Sequence, residues 1–275
     1  MVSIMILARS ALVLAAALLA AVSGVLKLAA AERDRVEARF EIYGFLGFHV
    51  LTNRTKVEDS GDRYAVTMDL DTRGLASVFV NLVSHSHVSG SFGRVIAHPQ
   101  AYHADVVRNG VERHYELDYR GDGTVINASA APQVGSLFVV AGDQMHGTVD
   151  QLTAYFIVEH QLAAGGKCAK VVPVFDGGGL YNLRFTDLGS ETLSPDDYQQ
   201  FAGPTEVCEV VREDVVVNPN RNEDTYHRGK IWYAHVIAGD RVLPVRMQFD
   251  TAFGIVRGYL AELHGRGADL HLARE

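Results

Sequence analysis

The sequence predicts a mainly β protein, built as one curved antiparallel sheet with one or two covering helices. Three observations predict it. Apolar and polar residues alternate with period two through several stretches. Turn signals rich in Gly, Asn and Asp separate those stretches, and two other segments carry apolar residues at helical spacing instead.

Ahead of the first strand, Arg9 precedes an uncharged apolar run from Ser10 to Leu26, and Ala29, Ala30 and Ala31 supply the small residues of a cleavage site. This is the layout of a secretory signal peptide, residues 1–31. The alternative is an uncleaved anchor, for which a run of 17 residues is short. Residues 32–275 then form a single domain, since no Pro- or Ser-rich linker and no internal repeat divides them. Removing the leader takes away Arg9 and Lys27 and no acid, so 23 basic residues face 33 acidic ones.

Along the body, Tyr64, Val66, Met68 and Leu70 alternate with polar residues. So do Tyr115, Leu117 and Tyr119, then Tyr181, Leu183 and Phe185, then Val245, Met247 and Phe249. A strand sends successive side chains to opposite faces, so each stretch has one dry and one wet face. Turns are expected at 59–62, 108–110, 121–123, 176–178 and 238–240. Strands joined by such short turns are antiparallel. Leu75, Val78, Phe79 and Leu82 have the spacing of a short helix. A second helix is expected over 148–164: Thr148 and Gln151 form a capping box, and Leu152, Tyr155, Phe156, Glu159 and Leu162 follow helical spacing up to Gly165 and Gly166. A sheet curving around this helix would bury its apolar stripe.

Composition narrows the function classes. With 275 residues, 48% apolar and 21% charged, the chain is neither disordered nor fibrous. A net charge of −8 argues against a general nucleic-acid binder. No segment after the leader is apolar enough for a transmembrane helix. In an exported protein, Cys168 and Cys208 are expected to form a disulfide; a reactive or metal-binding thiol is the alternative.

Enzyme signals are few. His85 and His87 share one face of a strand, with His98 and His103 following, and with a third imidazole they could hold zinc. Ser84, Ser86 and Ser89 around them read equally well as a polar solvent face. Gly90 to Gly93 lacks the spacing of a nucleophile elbow, and Glu159 with His160 lacks a second helical His. The glycines at 177–179 read as a hairpin turn, and Asp196 and Asp197 as a polar turn rather than calcium ligands. No catalytic residue and no cofactor is expected. Among the apolar residues, Tyr43, Phe45, Phe48, Phe79, Phe138, Tyr155, Phe156 and Trp232 are candidates to line a cavity for acyl chains, or else to fill an ordinary core. Phe45, Phe79, Tyr155, Phe156 and Trp232 are the candidate ligand-binding set.

From about Phe40 to Leu263 the chain resembles an uncharacterised family of exported proteobacterial proteins, the domain of unknown function numbered 3108. The segments that carry the resemblance come in order: Phe40 to His49; Gly147 to Asp150 running into a helix; Cys168; Val174 to Gly177 with Tyr181; Tyr198, Gly203, Pro204 and Cys208; Pro244 to Arg246; and Thr251 to Gly254. The polar stretch from Asn218 to Asp224 departs from it and reads as an exposed loop. The resemblance implies a periplasmic protein, distantly similar to carriers such as LolA and LolB, with an incomplete barrel or β-spiral around an apolar cavity. It carries over no catalytic residues. The expected function is a non-catalytic cell-envelope protein that binds a lipid, a lipoprotein acyl group or an envelope protein. A purely structural scaffold is the alternative, and a histidine-metal enzyme the third reading.

Overall fold

A computed structural model describes residues 35–72, 81–93, 96–131, 140, 142–216, 227–237, 241–251 and 254–273. The N-terminal half contributes β1 (Arg35–Tyr43), β2 (His49–Ser60), β3 (Arg63–Thr72), β4 (Leu82–Phe92), β5 (Ala97–Arg108), β6 (Val111–Tyr119) and β7 (Val125–Ala131). One helix, α1 (Gln151–Ala163), follows. The C-terminal half adds β8 (Lys170–Phe175), β9 (Leu180–Leu193), β10 (Gly203–Val216), β11 (Arg228–His235), β12 (Val242–Thr251), β13 (Gly254–Gly265) and β14 (Ala268–His271).

All these strands belong to one antiparallel sheet that is not closed into a barrel. Its order is β7-β6-β5-β4-β3-β2-β1-β13-β12-β11-β10-β9-β8, with β14 paired to β13. Each half is therefore a meander, and the pairing of β1 with β13 fuses the halves. Register slips in β1 between Arg39 and Phe40, and between Trp232 and Tyr233 of β11 against β12, add twist there.

The turns follow their residues. Asn109 and Gly110 both have positive φ and close β5 onto β6 as a two-residue hairpin, with Arg108 opposite Val111. Asp176 to Gly178 forms the β8–β9 turn, where Asp176 Oδ1 accepts the Gly178 N–H at 2.9 Å. This turn packs on β6: a Cβ at Gly177 would lie 2.8 Å from Tyr115 Cδ1. Two strands far apart in the sheet order thus meet here, so the sheet is strongly curled.

Helix α1 lies within that curl. Its cap lies two residues beyond the expected one. The Asp150 carboxylate, rather than Thr148, caps it, accepting the Thr153 N–H at 2.9 Å and the Thr153 hydroxyl at 2.6 Å. The physical reason is the preceding residue. Val149 is held extended against β8, donating to Pro173 O at 3.0 Å and accepting from Phe175 N at 2.9 Å, so helical backbone starts only after Asp150. Thr148 Oγ1 instead donates to Met145 O. At the other end, Gly166 N–H bonds to Gln161 O and Gly165 N–H to Leu162 O, each at 2.9 Å, the Schellman arrangement expected from the two glycines. The other predicted helix falls mostly on residues 73–80, outside the described residues. Its last member, Leu82, is a strand residue that opens β4 opposite Arg108. The turn expected at 238–240 and the loop at 218–224 also lie outside.

Buried apolar residues form two clusters. The larger lies around α1 and includes Val88, Leu117, Val158, Val174, Tyr181 and Leu183. The second gathers Val36, Phe40, Trp232, Val245, Leu260 and Leu263 where the two halves join. Cys168 and Cys208, both fully buried, are disulfide-bonded with Cα atoms 6.1 Å apart, tying the segment after α1 to β10. Non-reducing peptide mapping should recover this pair. Because the bond closes a loop of 40 residues, a Cys168→Ala/Cys208→Ala variant should lose about 4 kcal/mol in urea unfolding. Unchanged stability would show that the bond does not restrain the unfolded chain.

Candidate ligand cavity

Between α1 and the concave face of the central strands lies a cavity of about 450 Å³, within the range of small-molecule sites. Period-two alternation builds its floor. Val36, Ala38, Phe40 and Ile42 of β1 all face it, and register adds a partner from β2 at each level: Val57, Thr55, Asn53 and Leu51. Three levels extend to Val66, Met68 and Leu70 of β3. The far wall comes from Ile231 and Tyr233 of β11, Met247 and Phe249 of β12, and Val256 and Gly258 of β13. Gly258 matters there because a Cβ would come within 2.7 Å of Met247 Cγ.

The roof is one stripe of α1: Gln151, Leu152, Tyr155, Phe156 and Glu159. This spacing places all five on neighbouring turns of one helix face. The stripe is anchored from β3, whose Tyr64 ring stacks on Phe156 with centroids 4.7 Å apart and whose hydroxyl lies 2.8 Å from Thr153 Oγ1. Since the Thr153 hydroxyl donates to Asp150, Tyr64 is the donor to Thr153. Burial pushes Asp150 up to about 6, against the opposing pull of the Thr153 hydrogen bonds, and pushes the Tyr64 phenol up as well. The chain Tyr64–Thr153–Asp150 is closed on itself and serves the helix cap.

Glu159 differs. Its carboxyl lies deep among protein atoms yet keeps accessible surface, because what it faces is the cavity. Among the described residues none donates a hydrogen bond to it. Burial raises it from the ordinary 4.5 to about 7, and Arg241 pulls weakly the other way. The Arg241 guanidinium is itself bonded to Asp59 and sits over the Phe156 ring.

Of the candidate ligand-binding residues, Tyr155 and Phe156 line the cavity. Trp232 does not. Strand alternation turns it away from Ile231 and Tyr233 into the second core cluster, where its indole N–H donates to Glu191 at 2.7 Å. Phe45 lies in the short turn between β1 and β2, its side chain outside the described residues; Phe79 and Phe138 lie outside altogether. The Tyr43 ring is tilted against Tyr198 and Tyr259, which stack on each other, and Phe48 is exposed. The aliphatic floor and Glu159 escaped the sequence-based set, although Glu159 stood visibly in an otherwise apolar helical stripe.

The histidine pair sits on the opposite side of the sheet. Ser84, Ser86 and Val88 point inward, so His85 and His87 face out. His87 is in register with His103 of β5. Each ring already has a neighbour: His85 Nδ1 lies 2.7 Å from Asp69, His87 Nδ1 3.0 Å from Thr67, and His103 and His114 share Asp105 at 2.8 and 2.5 Å. Among the described residues no group of three or more His, Cys, Asp or Glu side chains is placed to hold a metal ion.

Glu159 gives stability a pH signature. A carboxyl raised in the folded state binds its proton more tightly there, so its contribution is full below pH 4.5 and is lost as pH rises to about 7. Urea unfolding at pH 5 and pH 8 should show the wild type losing up to about 3 kcal/mol relative to Glu159→Gln over that interval. Parallel pH curves for the two proteins would contradict the assigned environment. Asp150 acts in the same direction but is common to both proteins.

Comparison with known proteins gives a family and a fold neighbour. The sequence profile of a family described as "Protein of unknown function (DUF3108)" matches residues 39–261. Among solved structures, the chain is similar to a beta-barrel-like protein of the domain of unknown function DUF1849 from Brucella abortus, at 12% identity and a TM-score of 0.49, covering 86% of this chain and 100% of that one. No curated protein matches the chain.

Proposed function

The chain belongs to the DUF3108 family of proteins of unknown function, and we propose that it is a non-catalytic periplasmic protein holding a lipid, or the acyl part of a lipoprotein, inside its sheet. The observation that carries this reading is the cavity itself. It is lined on three sides by aliphatic and aromatic side chains and roofed by a capped helix. In this reading the chain works as LolA- and LolB-like carriers do, with an incomplete barrel around an apolar interior.

Two further features support it. The lining offers one carboxyl and, among the described residues, no imidazole, thiol or second acid, a poor set for acid–base or nucleophilic chemistry. Export accounts for the sequence of residues 1–31, and an oxidising compartment is where a buried Cys168–Cys208 bond persists.

Burying each methylene contributes ~0.8 kcal/mol, so affinity should rise roughly fourfold per added carbon until the cavity is full. Displacement of a fluorescent fatty alcohol by straight-chain alcohols from hexanol to hexadecanol measures this. The carrier reading predicts the rise, then a plateau, and loss of probe binding in Met68→Trp, which fills the space with an indole. No probe binding, or affinity indifferent to chain length, would favour the purely structural scaffold instead.

A further inference from the structure

We propose that Glu159 is the head-group subsite of this cavity and that the ligand it selects is an amphiphile ending in a primary ammonium group. The inference rests on the carrier reading and names the ligand chemistry within it.

Glu159 shares its helix stripe with Leu152, Tyr155 and Phe156, and the cavity opposite is lined mostly by aliphatic and aromatic side chains, with Asn53 and Thr55 among them. No described residue donates a hydrogen bond to it, whereas the other deep acid of the helix, Asp150, is held by Thr153. A carboxylate enclosed in apolar surroundings is stable only when it is protonated or meets a cation with donors to offer. Three charged or titratable groups stand near. Arg241, preceding β12, is tied to Asp59 at the end of β2, so these two neutralise each other. His160, the next residue of α1, is turned to the Phe92 ring, with centroids 4.0 Å apart. None of them satisfies Glu159, and its charge is left for a ligand.

An alkylammonium fits that vacancy in charge and donors. It brings three N–H groups and a full positive charge, and a charge-assisted bond of this kind is about twice as strong as a neutral one. A fatty alcohol offers one neutral donor, and a fatty acid adds a second carboxyl. Position agrees with the choice. Arg241 acts on the Glu159 carboxyl and is bonded to Asp59 at the end of β2, which places Glu159 toward the end of the cavity where β2 turns into β3. A ligand anchored there extends its chain past the successive levels of β1 toward Ile42 and Leu51. Those levels span about 20 Å, at about 3.3 Å per residue of strand.

The test compares three probes of equal chain length, dodecylamine, dodecanol and dodecanoic acid, by calorimetry at pH 7.5 and below their aggregation limits. On the unaltered chain, dodecylamine should bind at least tenfold more tightly than dodecanol, and dodecanoic acid most weakly. In Glu159→Gln the amine-to-alcohol ratio should fall to threefold or less. Equal affinities for all three in the unaltered chain would overturn the ammonium assignment while leaving the carrier reading intact. A preference that persists in Glu159→Gln would trace it to surface acids and overturn the assignment too. Failure of all three to bind would overturn both.

Discussion

The docking of α1 into the curl of the sheet is the constraint on which the rest of the molecule depends. The sheet presents a large apolar face on its concave side, and among the described residues α1 is the helix that covers it. Four contacts hold it: the Asp150 cap, the Tyr64–Thr153 hydrogen bond, the Tyr64–Phe156 stack, and the pairing of Val149 with β8. The first closes the helix's own N-terminal turn, the second and third lock it to β3 in the N-terminal half, and the fourth fixes its entry against the C-terminal half. The Cys168–Cys208 bond then holds the chain that leaves the helix. With both ends fixed in this way, the helix cannot settle further into the sheet.

The cavity follows from that fixed spacing and from side-chain size. The floor beneath α1 includes short residues, Val36 and Val57 at one end and Ala38 and Thr55 at the next level. A helix held at its two ends over a floor of Val, Ala and Thr leaves volume that longer side chains would have filled. Larger side chains, among them Phe40, Met68, Phe156 and Phe249, line the space too, while Trp232, Leu260 and Leu263 join the two halves in the second cluster. The two clusters meet at β1: Val36, Ala38 and Phe40 belong to the second cluster, which joins β1 to β13, and also floor the cavity.

Much of this was legible in the sequence. The strands around Tyr64, Leu117, Tyr181 and Val245 announce themselves by period-two alternation, and Asn109 with Gly110 by turn chemistry. The helix near 151–163 is announced by its glycine stop. Thr148 and Asp150 are both good capping residues, and only the tertiary pairing of Val149 with β8 decides between them. The site was harder. Aromatic residues are conspicuous, which brought Trp232 into the candidate set, yet strand phase across a register slip is not visible from one strand alone. The true floor is made of ordinary Val, Ala and Ile whose convergence depends on β1 meeting β13, a pairing of residues more than 200 positions apart. Glu159 could have been found by asking why an acid interrupts an apolar stripe.

The central claim is that the interior of this sheet is a ligand site rather than a packing defect. Native mass spectrometry of the protein recovered from its own envelope without detergent tests it most directly. The account predicts a bound amphiphile, seen as an added mass of several hundred daltons that organic solvent removes and that is absent from Met68→Trp. Protein that emerges empty, and stays empty when mixed with phospholipid, would contradict it.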